Sequence, residues 1–110
     1  MTRVLINRNA QGQIYAFEAS GHADRRSQRG SDIYCAAISA ILQTAVVGLL
    51  EHAKIEVSCE SSDGYLECEL LKQADAGRQD VCAILESMYL GLLSFSQENG
   101  KFIKIVEEVL

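Results

Sequence analysis

Cys35 and His22 are the residues whose types and placement suit covalent chemistry in this chain. His22 follows Gly21 at the end of a strand-like run, and a glycine there frees the backbone for a sharp turn. Cys35 lies just after Ser31 and Asp32, either of which suits the N-cap of the apolar helix that follows. A cysteine in a first helical turn sits near free backbone N–H groups and the positive end of the helix dipole, which favour the thiolate. A histidine within hydrogen-bond reach would take the thiol proton. The same N–H groups offer donors for the oxyanion of a tetrahedral intermediate. A nucleophile, a base and oxyanion donors together are the parts of an acyl-transfer site.

The same residues also fit a plainer reading, in which Cys35 is a small buried side chain and His22 is polar surface. The spacing alone leaves both readings open. Asp32 is a candidate to orient His22, although capping the helix is its simpler role. Ser39 lies one turn after Cys35 on the same helical face, where it either supports the thiolate or bonds a backbone carbonyl. Cys59, Cys68 and Cys82 fall on strand and helix positions that suit structural roles. His52, near the end of the first helix, suits a partner for the helix C-terminus. No C-x-x-C occurs, and His22 and Cys35 lack two further ligands nearby, so neither a metal nor any other cofactor is expected.

The rest of the chain must hold that pair in place. Its 110 residues, 48% hydrophobic and 23% charged, describe one globular domain with neither linker nor repeat. The net charge of −5 disfavours nucleic acid, whose binders carry basic faces. The one basic concentration is in the polar segment Asp24, Arg25, Arg26, Ser27, Gln28, Arg29 and Gly30, expected to be a flexible loop that closes over substrate. No basic region precedes an apolar stretch at the amino terminus, so a cytoplasmic protein with reduced cysteines is expected. The uncharged run over residues 33–50 reaches membrane-spanning length, but its Ser39, Gln43 and Thr44 and its lack of basic flanks favour a helix buried on most sides of a soluble protein.

Alternation predicts strands over residues 3–8 and 14–20, a helix from 31 or 32 to 51, and strands over 54–60 and 65–71. A helix over 77–97 and a strand over 102–107 complete an α+β domain of the order strand-strand-helix-strand-strand-helix-strand, with a mostly antiparallel or mixed sheet packed against two helices. Asp63-Gly64 predicts a two-residue type I′ turn, which sets Ser62 opposite Tyr65, Cys59 opposite Cys68 and Val57 opposite Leu70. The first helix is apolar around most of its circumference and needs a second apolar neighbour besides the sheet. The second helix or a partner subunit meets that need, and a homodimer is expected.

Gly21-His22-Ala23, then Gly30-x-Asp32-Ile33-x-Cys35-Ala36-x-x-Ser39-Ala40, resembles the ribosomal-processing cysteine protease family (Prp, YsxB-like). The similarity continues into Gln43-Thr44-Ala45 and Gly48-Leu49 and covers nearly the whole chain. It implies an endopeptidase that removes a short amino-terminal extension from large-subunit ribosomal protein twenty-seven, cutting after a hydrophobic segment that ends in aromatic residues. It further implies His22 as base, Cys35 as nucleophile, a mobile loop between them and a homodimer; the charge and the apolar run's composition make neither nucleic acid nor membrane an expected partner. The loop is one residue longer and more charged than the family pattern, and Tyr34 stands where a smaller aliphatic residue is common, so subsite preference is where this chain departs. The other class of function is a non-catalytic dimeric binding module that assists ribosome assembly, in which Cys35 simply packs.

Overall fold

The computed structural model describes residues 1–22 and 33–109. Five strands form one mixed sheet: β1 (Thr2–Arg8), β2 (Ile14–Ser20), β3 (Val57–Ser62), β4 (Tyr65–Leu70) and β5 (Ile103–Val109). Their spatial order is β3-β4-β2-β1-β5, with β1 and β5 parallel and every other neighbouring pair antiparallel. Two helices, α1 (Ile33–Val47) and α2 (Gln79–Glu98), cover one face. The expected α+β class and element order are those found.

Alternation explains which face the helices take. Val4 and Ile6 of β1 pair with Ala19 and Phe17 of β2, and Phe17 pairs with Cys68 of β4; all five are buried. An irregularity between Asn7 and Arg8 shifts the β1–β2 register, so Ile14 and Phe17 are both buried despite their odd spacing. Ile38, Leu42, Ala45 and Leu49 supply the first helix's stripe, and Val81, Leu85, Met88 and Leu92 supply that of α2. Each fully buried leucine or valine here stabilises the fold by roughly 1.5–3 kcal/mol before cavity effects. Arg8 ties three elements together. Its guanidinium donates to both carboxylate oxygens of Glu86 on α2 (2.6 and 3.0 Å) and to Glu107 on β5 (2.9 Å). The Tyr89 hydroxyl also donates to Glu107, and with Arg8 it holds that carboxyl below the usual range.

Three expectations need correction. The first helix does not run regularly to residue 51: beyond Val47 it widens into one π-type turn, Gly48–His52, closed by Ala53 N–H on the Gly48 carbonyl, and Lys54 ends it at φ 55°. Nor is that helix buried on most sides. It is long and apolar enough to cross a membrane by composition, yet it buries one stripe and leaves Ile33, Val47 and Leu50 at 70%, 56% and 45% exposure. The β3–β4 register is as expected, but the turn is not type I′, which needs positive φ at both central residues; only Gly64 has it, at 73°. Asp63 thereby avoids the left-handed conformation that an L-residue adopts at a cost.

Candidate active site

His22 is held from two sides by backbone. Gly21 ends β2 at φ 90°, and a Cβ there would lie 2.8 Å from the Met1 carbonyl oxygen, so no other residue fits. The Gly21 N–H donates to the Gly64 carbonyl of the β3–β4 turn at 2.9 Å. The buried Thr2 hydroxyl donates to the Gly21 carbonyl at 3.1 Å. The imidazole then lies over Gly64, where a Cβ would come within 3.2 Å of Nε2.

Cys35 stands in the first described turn of α1. The Tyr34 ring beside it stacks on Phe102, with centroids 3.8 Å apart and planes 12° from parallel, which fixes the start of the helix against the turn that leads into β5. This arrangement brings Cys35 Sγ to 4.0 Å from His22 Nδ1, within the reach that a sulfur contact allows. The other ring nitrogen, Nε2, lies 3.8 Å from Asp63 Oδ2.

A cleft of about 420 Å³ opens over the pair. Ala19, Ile38, Leu42 and Leu66 give it an apolar floor, and Ser39, Gln43, Ser61, Ser62 and Asp63 line it with polar groups. Ser39 is thus on the same cleft as Cys35, as its helical spacing suggests, and its hydroxyl accepts a hydrogen bond from Gln43 at 2.6 Å. Asp32 and the segment Asp24 to Gly30 lie outside the described residues. Sequence reasoning missed Asp63 and Gly64 as neighbours of His22, because local pattern shows only their turn; the contact depends on β4 pairing with β2. It also treated Tyr34 only as a departure from a family pattern, although its aromatic ring is what anchors the helix start.

The other cysteines are placed differently. Cys82 Sγ contacts the Ala76 carbonyl at 3.1 Å. Cys59 and Cys68 face each other as expected, both as free thiols, with the Cys59 thiol donating to Cys68 Sγ at 3.0 Å. Only Cys68 is buried, however; Cys59 lies exposed on the edge strand β3, where every residue after Val57 is exposed. Burial is the main cause that pushes the Cys68 thiol up, so it stays protonated and exchanges slowly at neutral pH. Thiol titration of freshly purified, denatured protein should return all four cysteines; a value lower by two, mapped to Cys59 and Cys68, would contradict a reduced pair. Among the described residues, no cluster of three or more potential ligands could hold a metal ion.

The family model for cysteine protease Prp matches residues 1–104. The chain belongs to this cysteine protease family. No curated protein matches it, but solved structures do. It is similar to an essential ribosomal processing protease Prp from S. aureus, solved in complex with a covalently linked product peptide, at 24% identity and a TM-score of 0.87 over 98% of this chain and 100% of that one. The same S. aureus protease in complex with a substrate peptide matches at 21% identity and a TM-score of 0.84, again over 98% and 100%. SMU.848 from Streptococcus mutans matches at 24% identity and 0.85 over 100% and 96%. At these identities the Prp structures establish a shared fold, and the family match establishes the cysteine protease.

Proposed function

We propose that this protein is a Cys-His endopeptidase that trims a short amino-terminal extension from a ribosomal protein precursor, with Cys35 as nucleophile and His22 as base. The observation that carries the reading is the approach of Cys35 Sγ to His22 Nδ1 at 4.0 Å, at the mouth of a cleft with an apolar floor. In this mechanism Nδ1 takes the thiol proton as sulfur attacks the scissile carbonyl. Backbone N–H groups at the start of α1 receive the oxyanion. The imidazolium then returns the proton to the leaving amine, and the C–N bond breaks to give a thioester. Water, deprotonated by the same imidazole, hydrolyses the thioester and regenerates the thiol.

The cleft and the family support a reading of the substrate class. Ala19, Ile38, Leu42 and Leu66 suit a hydrophobic segment, while Ser61 and Ser62 on β3 offer polar groups beside it. The solved S. aureus relative is a ribosomal processing protease with bound peptide. The proposed substrate is the precursor of large-subunit ribosomal protein twenty-seven, cut after a hydrophobic segment ending in aromatics. The same reading sets the reaction in the cytoplasm and assigns the protein to a homodimer. The exposed Ile33, Val47 and Leu50 and an apolar groove between α1 and α2, lined by Ala40, Ile41, Gly48 and Ile84, support that assembly. Sedimentation should return twice the 12.1 kDa chain mass; a monomer at micromolar concentration would remove the dimer from the account.

A synthetic peptide spanning such an extension and the residues after it tests the activity. Mass spectrometry of the products should show one cut, after the aromatic end of the hydrophobic segment. Intact peptide, or cuts scattered along it, would overturn the proposal.

A further inference from the structure

The ring nitrogen that faces Cys35 is Nδ1, so the opposite nitrogen, Nε2, decides how well His22 can work as a base. A neutral imidazole holds its proton on one nitrogen and its lone pair on the other, and the partner of the protonated nitrogen selects which. Asp63 Oδ2 lies 3.8 Å from Nε2, within ion-pair range and on the far side of the ring from sulfur. The turn that carries Asp63 is itself fixed to the base. The Gly64 carbonyl accepts the Gly21 N–H at 2.9 Å, and Gly64 packs beneath the ring with no side chain between them.

We infer that Asp63 is the positioning residue for His22, holding the imidazole with Nε2 toward its carboxylate and Nδ1 toward Cys35. This rests on the catalytic reading of the pair. Two effects follow. Asp63 keeps the lone pair on Nδ1, where the thiol proton must go. It also sets a carboxylate beside the ring at the moment the ring takes up the thiol proton, which favours that transfer. The side chains of His22 and Asp63 are 46% and 51% exposed, so water screens the interaction. Its removal should therefore cost about tenfold in turnover, far below the 10⁴ lost when a buried triad carboxylate becomes an amide.

Asp63→Asn is the informative variant, because asparagine keeps the shape and also suits a turn. Asp63→Glu keeps the charge. Two readouts separate positioning from structure. The first is the rate at which iodoacetamide alkylates Cys35 at neutral pH, followed by peptide mapping so that Cys59 and Cys82 are counted apart. It needs no substrate, so it tests Asp63 even where the chosen peptide is not cleaved; a wild-type protein that cleaves nothing would count against the proposed function alone. Alkylation of Cys35 should slow several-fold in the Asn variant and recover in the Glu variant, with thermal unfolding unchanged. The second readout is cleavage, in which kcat should fall about tenfold with KM little altered. Asn-variant alkylation and kcat equal to wild type would overturn the inference, as would losses shared equally by the Asn and Glu variants.

Discussion

Replacing Cys35 with alanine or with serine is expected to abolish peptide cleavage while the protein stays folded. Among the described residues that line the cleft, the Cys35 thiol is the side chain best suited to attack a carbonyl with only an imidazole to help it. Serine preserves the volume but raises the barrier to deprotonation, and alanine removes the attacking atom. Neither change opens a large hole, because Cys35 is half-buried at the start of α1 and the helix keeps its buried stripe of Ile38, Leu42 and Ala45. The Tyr34–Phe102 stack that anchors this end of the helix is also untouched. Turnover by both variants should fall to background, with circular dichroism and the melting temperature near wild type. Cleavage at more than a few per cent of the wild-type rate by Cys35→Ala would move the nucleophile elsewhere.

His22→Ala has the second-largest expected effect. A positioned general base contributes typically about 10²–10⁴-fold, and that contribution is realised in the transition state. The loss should therefore appear in kcat, with KM changed little. The ring is nearly half exposed and lies outside the buried core, so its removal leaves the sheet and helices packed as they are. The hydrogen bonds that fix this segment, Gly21 N–H to the Gly64 carbonyl and Thr2 hydroxyl to the Gly21 carbonyl, involve no imidazole atom and survive the change. A variant with near-normal kcat would remove His22 from the mechanism; one with normal kcat and a much higher KM would make it a binding residue instead.

How far the site could be read from sequence depends on how local each part is. Gly21 before His22 and an apolar helix opening near Cys35 are local signals, and they point to the same corner of the molecule that the structure assembles. The pairing of Cys59 with Cys68 was legible for the same reason, since Asp63-Gly64 fixes the register of one hairpin. The strand order is a different kind of fact. Nothing in the alternation of residues 65–70 says that β4 lies beside β2, or that β5 returns parallel to β1, because both depend on how the two helices cross the sheet. Asp63 was invisible as a neighbour of His22 on that account. Exposure was also misjudged where an element lies at an edge: β3 alternates like a half-buried strand, yet Cys59 and Ser61 are open to solvent. The apolar circumference of α1 was read correctly, but only its packed stripe is covered within one chain.

The most direct test of the central claim is covalent capture of the nucleophile by a peptidyl chloromethyl ketone with a hydrophobic, aromatic-ended sequence, followed by intact mass and peptide mapping. If labelling followed exposure alone, Cys59, which is exposed, would react ahead of the half-buried Cys35. The account predicts a single adduct on Cys35, formed at neutral pH, suppressed by competing substrate peptide and absent from His22→Ala on the same timescale. Labelling that favours Cys59 or Cys82, or that proceeds at Cys35 equally well without His22, would contradict it.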